Sequence, residues 1–335
     1  MAHEIEKHDR VVLHGERAWH GLGTIVEDAP TPLEALRIAE MDWKVEQWPM
    51  FAGFPGVFIP CDQVANIRTD TRTILGVVSP HYEPIQNKDL AEFCEALAEQ
   101  DDTVKVESAG SIRNGAKVWF LLKGESFSVR DKDEVRPYIL VSNGHDGKTS
   151  LRCTPTIIRV VCSNTLHMVV PDDGSKQNLQ IDGYTARHIG NVQGKVEEAK
   201  AALKLYGRSL ETNRAMIDTM AARDVDTESI KQFFLECYVR DFGPIAETPT
   251  NKIERNNRNR AKESFNQFKE RFVVDLPIAG ASAWNALNAY TGFLQHDRIS
   301  RLKDPTKAED SRLGSALFGV NAQRGVMAMQ LALSM

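Results

Sequence analysis

The sequence predicts an α+β fold in which a mainly antiparallel sheet with packed helices is followed by a largely helical C-terminal region. Up to residue 172, apolar β-rich runs alternate with two helical patterns in an order typical of α+β domains. Residues 137–141 form one such run, and Asn143-Gly144 and Asp146-Gly147 follow as dipeptides that favour hairpin turns. Beyond Pro171 the pattern changes to helical spacing.

Capping and turn residues predict the first helix and the two strands that follow it. Thr31 is a predicted N-cap and Pro32 the first residue of a helix. Residues 43–51 are predicted as a strand, which a Pro/Gly corner through Pro60 ends. Residues 72–78 are predicted as the next strand.

The middle of the chain continues the sheet. Asn87 is the predicted cap of a helix that ends near residue 100, and two strands follow around the 113–115 turn. The 142–147 turn then leads into a return strand over 149–154. Residues 156–170 are interpreted as a strand end leading into a buried helix, with the choice between helix and strand left open.

The C-terminal region begins with a heptad pattern over residues 192–220. Either a long helix packs on its own domain, or the chain self-associates through this seam, for which the key positions are Leu203, Leu210, Asn213 and Ile217. We therefore expect a homo-oligomer. The predicted organisation is a core domain over 1–172, a loop or linker over 173–185 and a helical region over 186–335.

Five further segments complete the helical region. Asp226 caps a predicted helix that reaches residue 238, and Ser282 begins another. Residues 251–272 form a basic helix, residues 300–312 a polar loop, and residues 326–333 a small apolar helix.

Composition restricts the class of protein. The chain has 335 residues, of which 42% are hydrophobic and 26% charged, as is common for globular proteins. No apolar run approaches the ~20 residues that span a bilayer, and the charged N-terminus lacks a signal core. Five scattered cysteines favour reduced thiols. We expect a cytoplasmic protein with no membrane association.

The 142–149 segment carries the strongest chemical signal. Its Gly-Lys-Thr ending resembles half of a phosphate-binding loop, but the segment that follows is β-like and broken by Pro155. No compact metal-ligand spacing and no nucleophile with an orienting carboxylate is apparent. We predict a hairpin turn with no catalytic residue, no metal and no cofactor. An enzyme centred on His145, Asp146 and Lys148 stays an alternative.

Basic residues interleaved with aromatics form the second signal. The net charge of −5 gives no global attraction to nucleic acid, so any binding requires a local patch. A solvated helix with an apolar underside is the alternative interpretation of the 251–272 segment. The candidate nucleic-acid-binding residues are Arg152 and Arg159 beside the hairpin, and Arg255, Arg258, Arg260 and Lys262 in the basic helix.

Several strings resemble the phage/plasmid-like protein family, a family of unknown function from bacteriophages and mobile elements. They are residues 18–23 (AWHGLG), 142–147 (SNGHDG), 159–165 (RVVCSNT), 283–289 around Ala283-Trp284 and Asn288-Ala289, and 317–319 (LFG). The pattern of a strand-rich core ending in a helix is also similar to RecT/Redβ/Erf-like single-strand annealing proteins, with no shared motif.

These resemblances imply a factor of mobile elements in a bacterial cytoplasm. From them we expect an oligomeric protein that binds single-stranded DNA, as in annealing and recombination, by phosphate capture and base stacking. The alternatives are a phage counter-defence protein that binds a host partner, and the metal- or nucleotide-dependent enzyme.

Overall fold

The computed structural model describes residues 11–15, 24–99, 102–159, 164–171, 179–189, 194, 206–297, 315 and 319–335. By compactness the chain forms two units. Unit 1 comprises residues 1–125, 138–155 and 183–206, and unit 2 comprises residues 126–137, 156–182 and 207–335. Of the predicted linker at 173–185, residues 173–178 lie outside the described residues, and residues 179–185 contain a strand and the start of another.

Unit 1 is built on an antiparallel sheet covered by two helices. Its elements are β1 (Val11–His14), β2 (Thr24–Val26), α1 (Pro32–Ile38), β3 (Val45–Phe54), β4 (Val57–Arg68), β5 (Thr73–Val78), α2 (Asn87–Ala98), β6 (Lys105–Ile112) and β7 (Lys117–Lys123). Strands β9 (Asp133–Gly144) and β10 (Leu151–Arg159) each contribute residues to both units, and β14 (Tyr184–Ala186) pairs with β10.

Two sheets organise unit 1. In the larger sheet, β9, β7, β6, β1 and β2 follow one another, and only the β1–β2 pair is parallel. The smaller sheet has the order β3-β4-β5 and is antiparallel. Apolar residues of α1 and α2, including Leu36, Leu90 and Phe93, form one core cluster with Val118 and Phe120 of the larger sheet.

Unit 2 combines short strands with a helical majority. Its strands are β8 (Phe127–Val129), β11 (Asn164–His167), β12 (Val169–Pro171) and β13 (Leu179–Ile181). Its helices are α3 (Tyr206–Ala222), α4 (Thr227–Phe242), α5 (Lys252–Ala279), α6 (Ala283–Gly292), a π-helical turn at Phe293–Asp297, and α7 (Val320–Ser334). An aromatic group that includes Phe234, Phe268, Tyr290 and Phe293 fills the space between the helices.

The predicted fold class is confirmed, since mainly antiparallel sheets in the N-terminal part precede a helical C-terminal region. Local signals placed several helix starts correctly. Thr31 caps α1 in a capping box with Glu34, and the side chains of Asp226 and Ser282 cap α4 and α6. Asn87 is the first residue of α2, and Gln86 is its N-cap.

Two secondary-structure predictions were wrong. The expected corner before Pro60 is a hairpin turn, because β4 runs from Val57 and pairs with β3. The expected buried helix within 156–170 is absent from the described residues of that stretch, which belong to β10, β11 and β12. Residues Thr156, Ile157 and Ile158 are β-branched, and their packing in an extended strand outweighs the helical alternative.

The part of the heptad seam from residue 207 to residue 220, which the structure describes, packs within unit 2. Asn213 is fully buried on α3, where its Oδ1 accepts from the Val169 backbone N–H at 3.0 Å and its Nδ2 donates to the Val169 carbonyl at 2.9 Å. Ile217 is also fully buried and Leu210 is half-buried, whereas Leu203 lies outside the described residues. The prediction that Asn213 and Ile217 mediate self-association is therefore corrected, because both side chains are already enclosed by their own unit.

Candidate functional site

The 142–147 turn that suggested chemistry connects β9 to β10 in unit 1, and its polar side chains point inward. Asn143 Nδ2 donates to the Ile85 carbonyl at 3.1 Å, and the Tyr82 hydroxyl donates to the Gly144 carbonyl at 2.7 Å. Asn66 donates to the His145 carbonyl at 2.8 Å. These bonds attach the turn to the neighbouring segments of unit 1, as a structural element requires.

His145 is the most enclosed of these residues, with no exposed surface. Its Nε2 lies 2.9 Å from Asn87 Oδ1, and Asn87 Nδ2 donates to the Met41 carbonyl. Because Asn87 Nδ2 donates to Met41, Asn87 Oδ1 is the acceptor and His145 Nε2 the donor. Burial, together with the neighbouring His188, lowers the pKa of His145 to about 3.

Asp146 and Lys148 have different surroundings from His145. Asp146 Oδ1 accepts from the backbone N–H groups of Lys148 at 2.9 Å and Thr149 at 2.8 Å. A phosphate-binding loop needs its amides directed at the ligand, and these two amides are bonded to the aspartate instead. Lys148 is exposed. The arrangement is that of an Asx turn, and it does not bring the three residues of the enzyme alternative to one surface.

Arg159 lies at the end of β10 in unit 2 and is fully buried. Its Nε donates to Asp133 at 2.7 Å, its Nη1 pairs with Asp275, and Trp284 Nε1 donates to Asp133 at 2.8 Å. This position is incompatible with contact to a phosphate backbone, so the prediction for Arg159 is corrected. The sequence signal for this burial is the alternation of side chains along β10. Leu151, Cys153 and Ile157 lie on the same face of the strand as Arg159 and are also buried.

Arg152 lies on the opposite face of β10 and is exposed. It belongs to unit 1, and its role in nucleic-acid binding stays a prediction.

The basic helix contributes to a different kind of site. A pocket of about 550 Å³ in unit 2, called here the α4–α5 groove, is lined by Lys231, Phe234, Leu235, Ile245, Pro249, Arg255, Arg258, Asn259, Ala261, Lys262 and Phe265. Four of these residues are cations, and none of the lining residues, all of which the structure describes, is acidic. Three of the six predicted nucleic-acid-binding residues therefore meet in one groove.

Helical spacing explains which residues of α5 reach the groove. Arg255, Arg258 and Lys262 follow one another at intervals of three and four, which places them on one face. Phe265 continues the same face one turn later. Arg260 is exposed but lies off this face and does not line the groove, so the structure separates it from the other three.

Apolar side chains form the floor of the groove. Phe234 of α4 is fully buried, and its ring centroid lies 5.1 Å from that of Phe265. Phe265 is half-buried, so part of its ring faces the opening. Ala261, with 5% of its surface exposed, is buried beside them and completes the floor.

The segment between α4 and α5 forms the rim. Arg258 Nη1 donates to the Glu247 carbonyl at 2.8 Å, which ties this segment to α5. At the helix start, Glu254 accepts from the backbone N–H of Thr250 and from Asn251, and these hydrogen bonds lower its pKa. The carboxylate of Glu254 is thus engaged in capping the helix.

Lys231 is the groove cation that the sequence did not indicate. It lies one turn before Phe234 on α4, and its Nζ lies 3.2 Å from Glu228 Oε1. No sequence spacing links α4 to α5, because their contact is a tertiary one.

Within the part of the chain that the structure describes, no group of three or more His, Cys, Asp or Glu residues is placed to hold a metal ion. Among the same residues, no helix is both long and apolar enough to cross a membrane.

Comparison with known proteins identifies the family. A family model described as a domain of unknown function (DUF932) matches residues 74–317, which is well over half of the chain. The chain belongs to the DUF932 family. The matched range contains both the 142–147 turn and the α4–α5 groove of this DUF932 protein. No curated protein and no solved structure matches the chain.

Proposed function

We propose that this DUF932 protein binds single-stranded DNA in the α4–α5 groove, as a single-strand annealing-like factor of phages and mobile elements. The observation that carries the proposal is the convergence of Arg255, Arg258 and Lys262 on a groove with an aromatic floor. Proteins that bind single strands without sequence preference combine a cationic groove with aromatic rings on which bases stack.

Charge and shape support a nucleic-acid strand as the ligand. The protein carries a net charge of −5, so a polyanion is attracted only where cations are concentrated. The α4–α5 groove provides that concentration without a lining carboxylate. The half-buried ring of Phe265 offers a face for one base, a contact that contributes about 1–3 kcal/mol in known single-strand binders.

The geometry favours binding without a covalent step. Arginine forms paired hydrogen bonds with phosphate oxygens, and lysine provides a compact charge. In this scheme Arg255, Arg258 and Lys262 hold successive phosphates, while Phe265 contacts a base. Annealing then follows from holding a strand with its bases accessible to a complementary strand.

The test is a titration of a fluorescently labelled oligothymidine at several salt concentrations, starting at ~50 mM, where phosphate contacts are strong. Each phosphate contact to a single strand contributes about −0.7 to the slope of log K against log salt, so Arg255→Ala/Arg258→Ala/Lys262→Ala flattens the slope by up to about two units.

Arg260→Ala is the matched control, because Arg260 is an exposed arginine of α5 outside the groove. It is expected to leave the slope unchanged. Arg152→Ala tests the competing surface on β10. If the wild-type protein does not retain the oligonucleotide at ~50 mM salt, the proposal is wrong and the host-partner alternative takes precedence.

A further inference from the structure

The outer part of the β3–β4 hairpin, residues 51–61, is called here the arm, and it projects from unit 1. Phe51, Phe54 and Phe58 are 53%, 66% and 76% exposed, and every residue of the arm is exposed. Pro55-Gly56 forms the tip, where Gly56 adopts a φ of +81°. An isolated two-stranded hairpin has marginal stability in water, so an apolar arm of this kind requires a covering surface.

Both faces of the arm are apolar. In an antiparallel pair, directly opposed residues project to the same side. Phe54 opposes Val57 and Ala52 opposes Ile59, which forms one face. Phe51 opposes Pro60 and Gly53 opposes Phe58, which forms the other face. A pair of strands in an antiparallel sheet normally has one polar face exposed to water, and neither face of the arm is polar.

The exposed area is close to that of a protein–protein interface. With ~150–250 Å² per aromatic side chain, the three phenylalanines, Val57 and Ile59 leave roughly 500 Å² of apolar surface exposed. A standard interface buries about 800 Å² on each partner. The arm and the backbone of its two strands therefore supply most of one side of a stable dimer.

Charge distinguishes the possible occupants. Residues 49–61 contain no charged side chain, and the nearest flanking charges are Glu46 and Asp62. Segments that insert into membrane surfaces carry Lys or Arg beside their apolar residues, and acidic flanks oppose anionic lipids. A second copy of the arm has the same uncharged, two-faced apolar surface, and self-complementary patches are what a two-fold symmetric interface requires.

The prolines restrict how two arms can meet. Pro49 and Pro60 lack backbone donors, and the β3–β4 register shifts between Pro49 and Phe51. Proline and bulges on edge strands discourage continuous edge-to-edge pairing. Packing through side-chain faces is therefore favoured over addition of strand to strand.

We propose that the arm packs against the arm of a second copy of this chain, face to face, in a two-fold symmetric homodimer. The arm supplies an interface that Asn213 and Ile217, both buried within unit 2, do not. The inference is independent of nucleic-acid binding, since it concerns a different unit and a different measurement.

The test is the mass of the full-length protein measured by light scattering at tens of micromolar. Wild type is expected at twice the chain mass of 37.5 kDa. Phe54→Lys/Phe58→Lys places a charge on each face and is expected to give the monomer mass. Ile74→Lys is the matched control, because Ile74 is 61% exposed on β5 of the same sheet but outside the arm.

Cys61 gives a second readout, because its thiol is exposed at the base of the arm. Modification of Cys61 by a maleimide, followed by peptide mass spectrometry, is expected to slow as wild-type concentration rises and to be independent of concentration in Phe54→Lys/Phe58→Lys. A circular dichroism melt of each variant verifies folding.

Two results overturn the proposal. One is a wild-type protein that stays monomeric across the concentration range. The proposal is overturned in the same way if this monomer binds phosphatidylcholine–phosphatidylserine vesicles in a flotation assay and Phe54→Lys/Phe58→Lys does not. The other is a folded Phe54→Lys/Phe58→Lys variant that keeps the dimer mass.

Discussion

The hairpin region and the α4–α5 groove both carry residues that suggested phosphate binding, and they differ in where those residues point. At the hairpin, His145 and Arg159 are fully buried and bonded to Asn87 and Asp133, respectively. At the groove, Arg255 and Lys262 are exposed and line an open pocket. The hairpin region, although rich in residue types that carry out chemistry, thus holds its side chains in structural hydrogen bonds. Helix α5, whose sequence is typical of a solvated helix, lines the open groove.

The largest expected difference between the two regions is in the free energy of unfolding when one arginine of each is replaced. Arg159→Ala leaves Asp133 and Asp275 buried without their cation, which is expected to lower the free energy of unfolding by about 3–5 kcal/mol. Arg258→Ala removes an exposed side chain and its hydrogen bond to the Glu247 carbonyl, and it is expected to lower the free energy of unfolding by only about 1 kcal/mol. Urea unfolding measures both. Equal stability of the two variants would break the comparison.

The next effect is a pH dependence from His145. Its pKa is about 3 in the folded protein, against an ordinary histidine value of 6.5, so the unfolded chain binds a proton that the folded chain excludes. Stability is complete above pH 6.5 and is lost as the pH falls towards 3, with about 2 kcal/mol lost between pH 7.5 and pH 5. The measurement is urea unfolding at both pH values.

His145→Gln is the matched variant for the pH experiment, because glutamine can donate to Asn87 but does not titrate. Its loss of stability between the two pH values is expected to be smaller than that of wild type by the same amount, about 2 kcal/mol. An identical pH dependence in both proteins would show that the pKa of His145 is the same in the folded and the unfolded chain.

The smallest effect separates the two neighbours in the turn. Asp146→Ala deprives the amides of Lys148 and Thr149 of their acceptor and is expected to cost about 1–3 kcal/mol. Lys148→Ala removes an exposed side chain and is expected to be neutral within about 0.5 kcal/mol. Thermal unfolding compares them. A neutral Asp146→Ala, or ATP hydrolysis that Lys148→Ala abolishes, would restore the phosphate-loop interpretation.

Much of the fold follows from local signals, because helix caps and turns depend on few neighbouring residues. Thr31, Asp226 and Ser282 begin helices as predicted, and the turn between β9 and β10 follows from its glycines. Pro60 misled the prediction of β4, since proline usually ends a strand. Here it lies in the exposed half of the hairpin, beyond the part of β4 that pairs with β5.

The candidate site is only half visible in the sequence. The spacing of Arg255, Arg258 and Lys262 on one helical face can be read directly, and the same spacing excludes Arg260. Lys231 joins them through the packing of α4 on α5, which no local pattern encodes. For Asn213 the local pattern misled the prediction. A polar residue in a heptad seam predicts packing against a second helix, and Asn213 instead bonds to the backbone of strand β12.

The bond between Trp284 and Asp133 joins residues 151 positions apart in sequence. During synthesis at ~5–20 residues per second, the indole that completes this cluster emerges roughly 8–30 s after the carboxylate. Asp133 and Arg159 meanwhile reside in a nascent chain whose second unit lacks its closing helices. Premature termination before Trp284 therefore yields a chain in which Asp133 lacks the indole N–H and the second unit lacks α6 and α7, a substrate for chaperones and proteases.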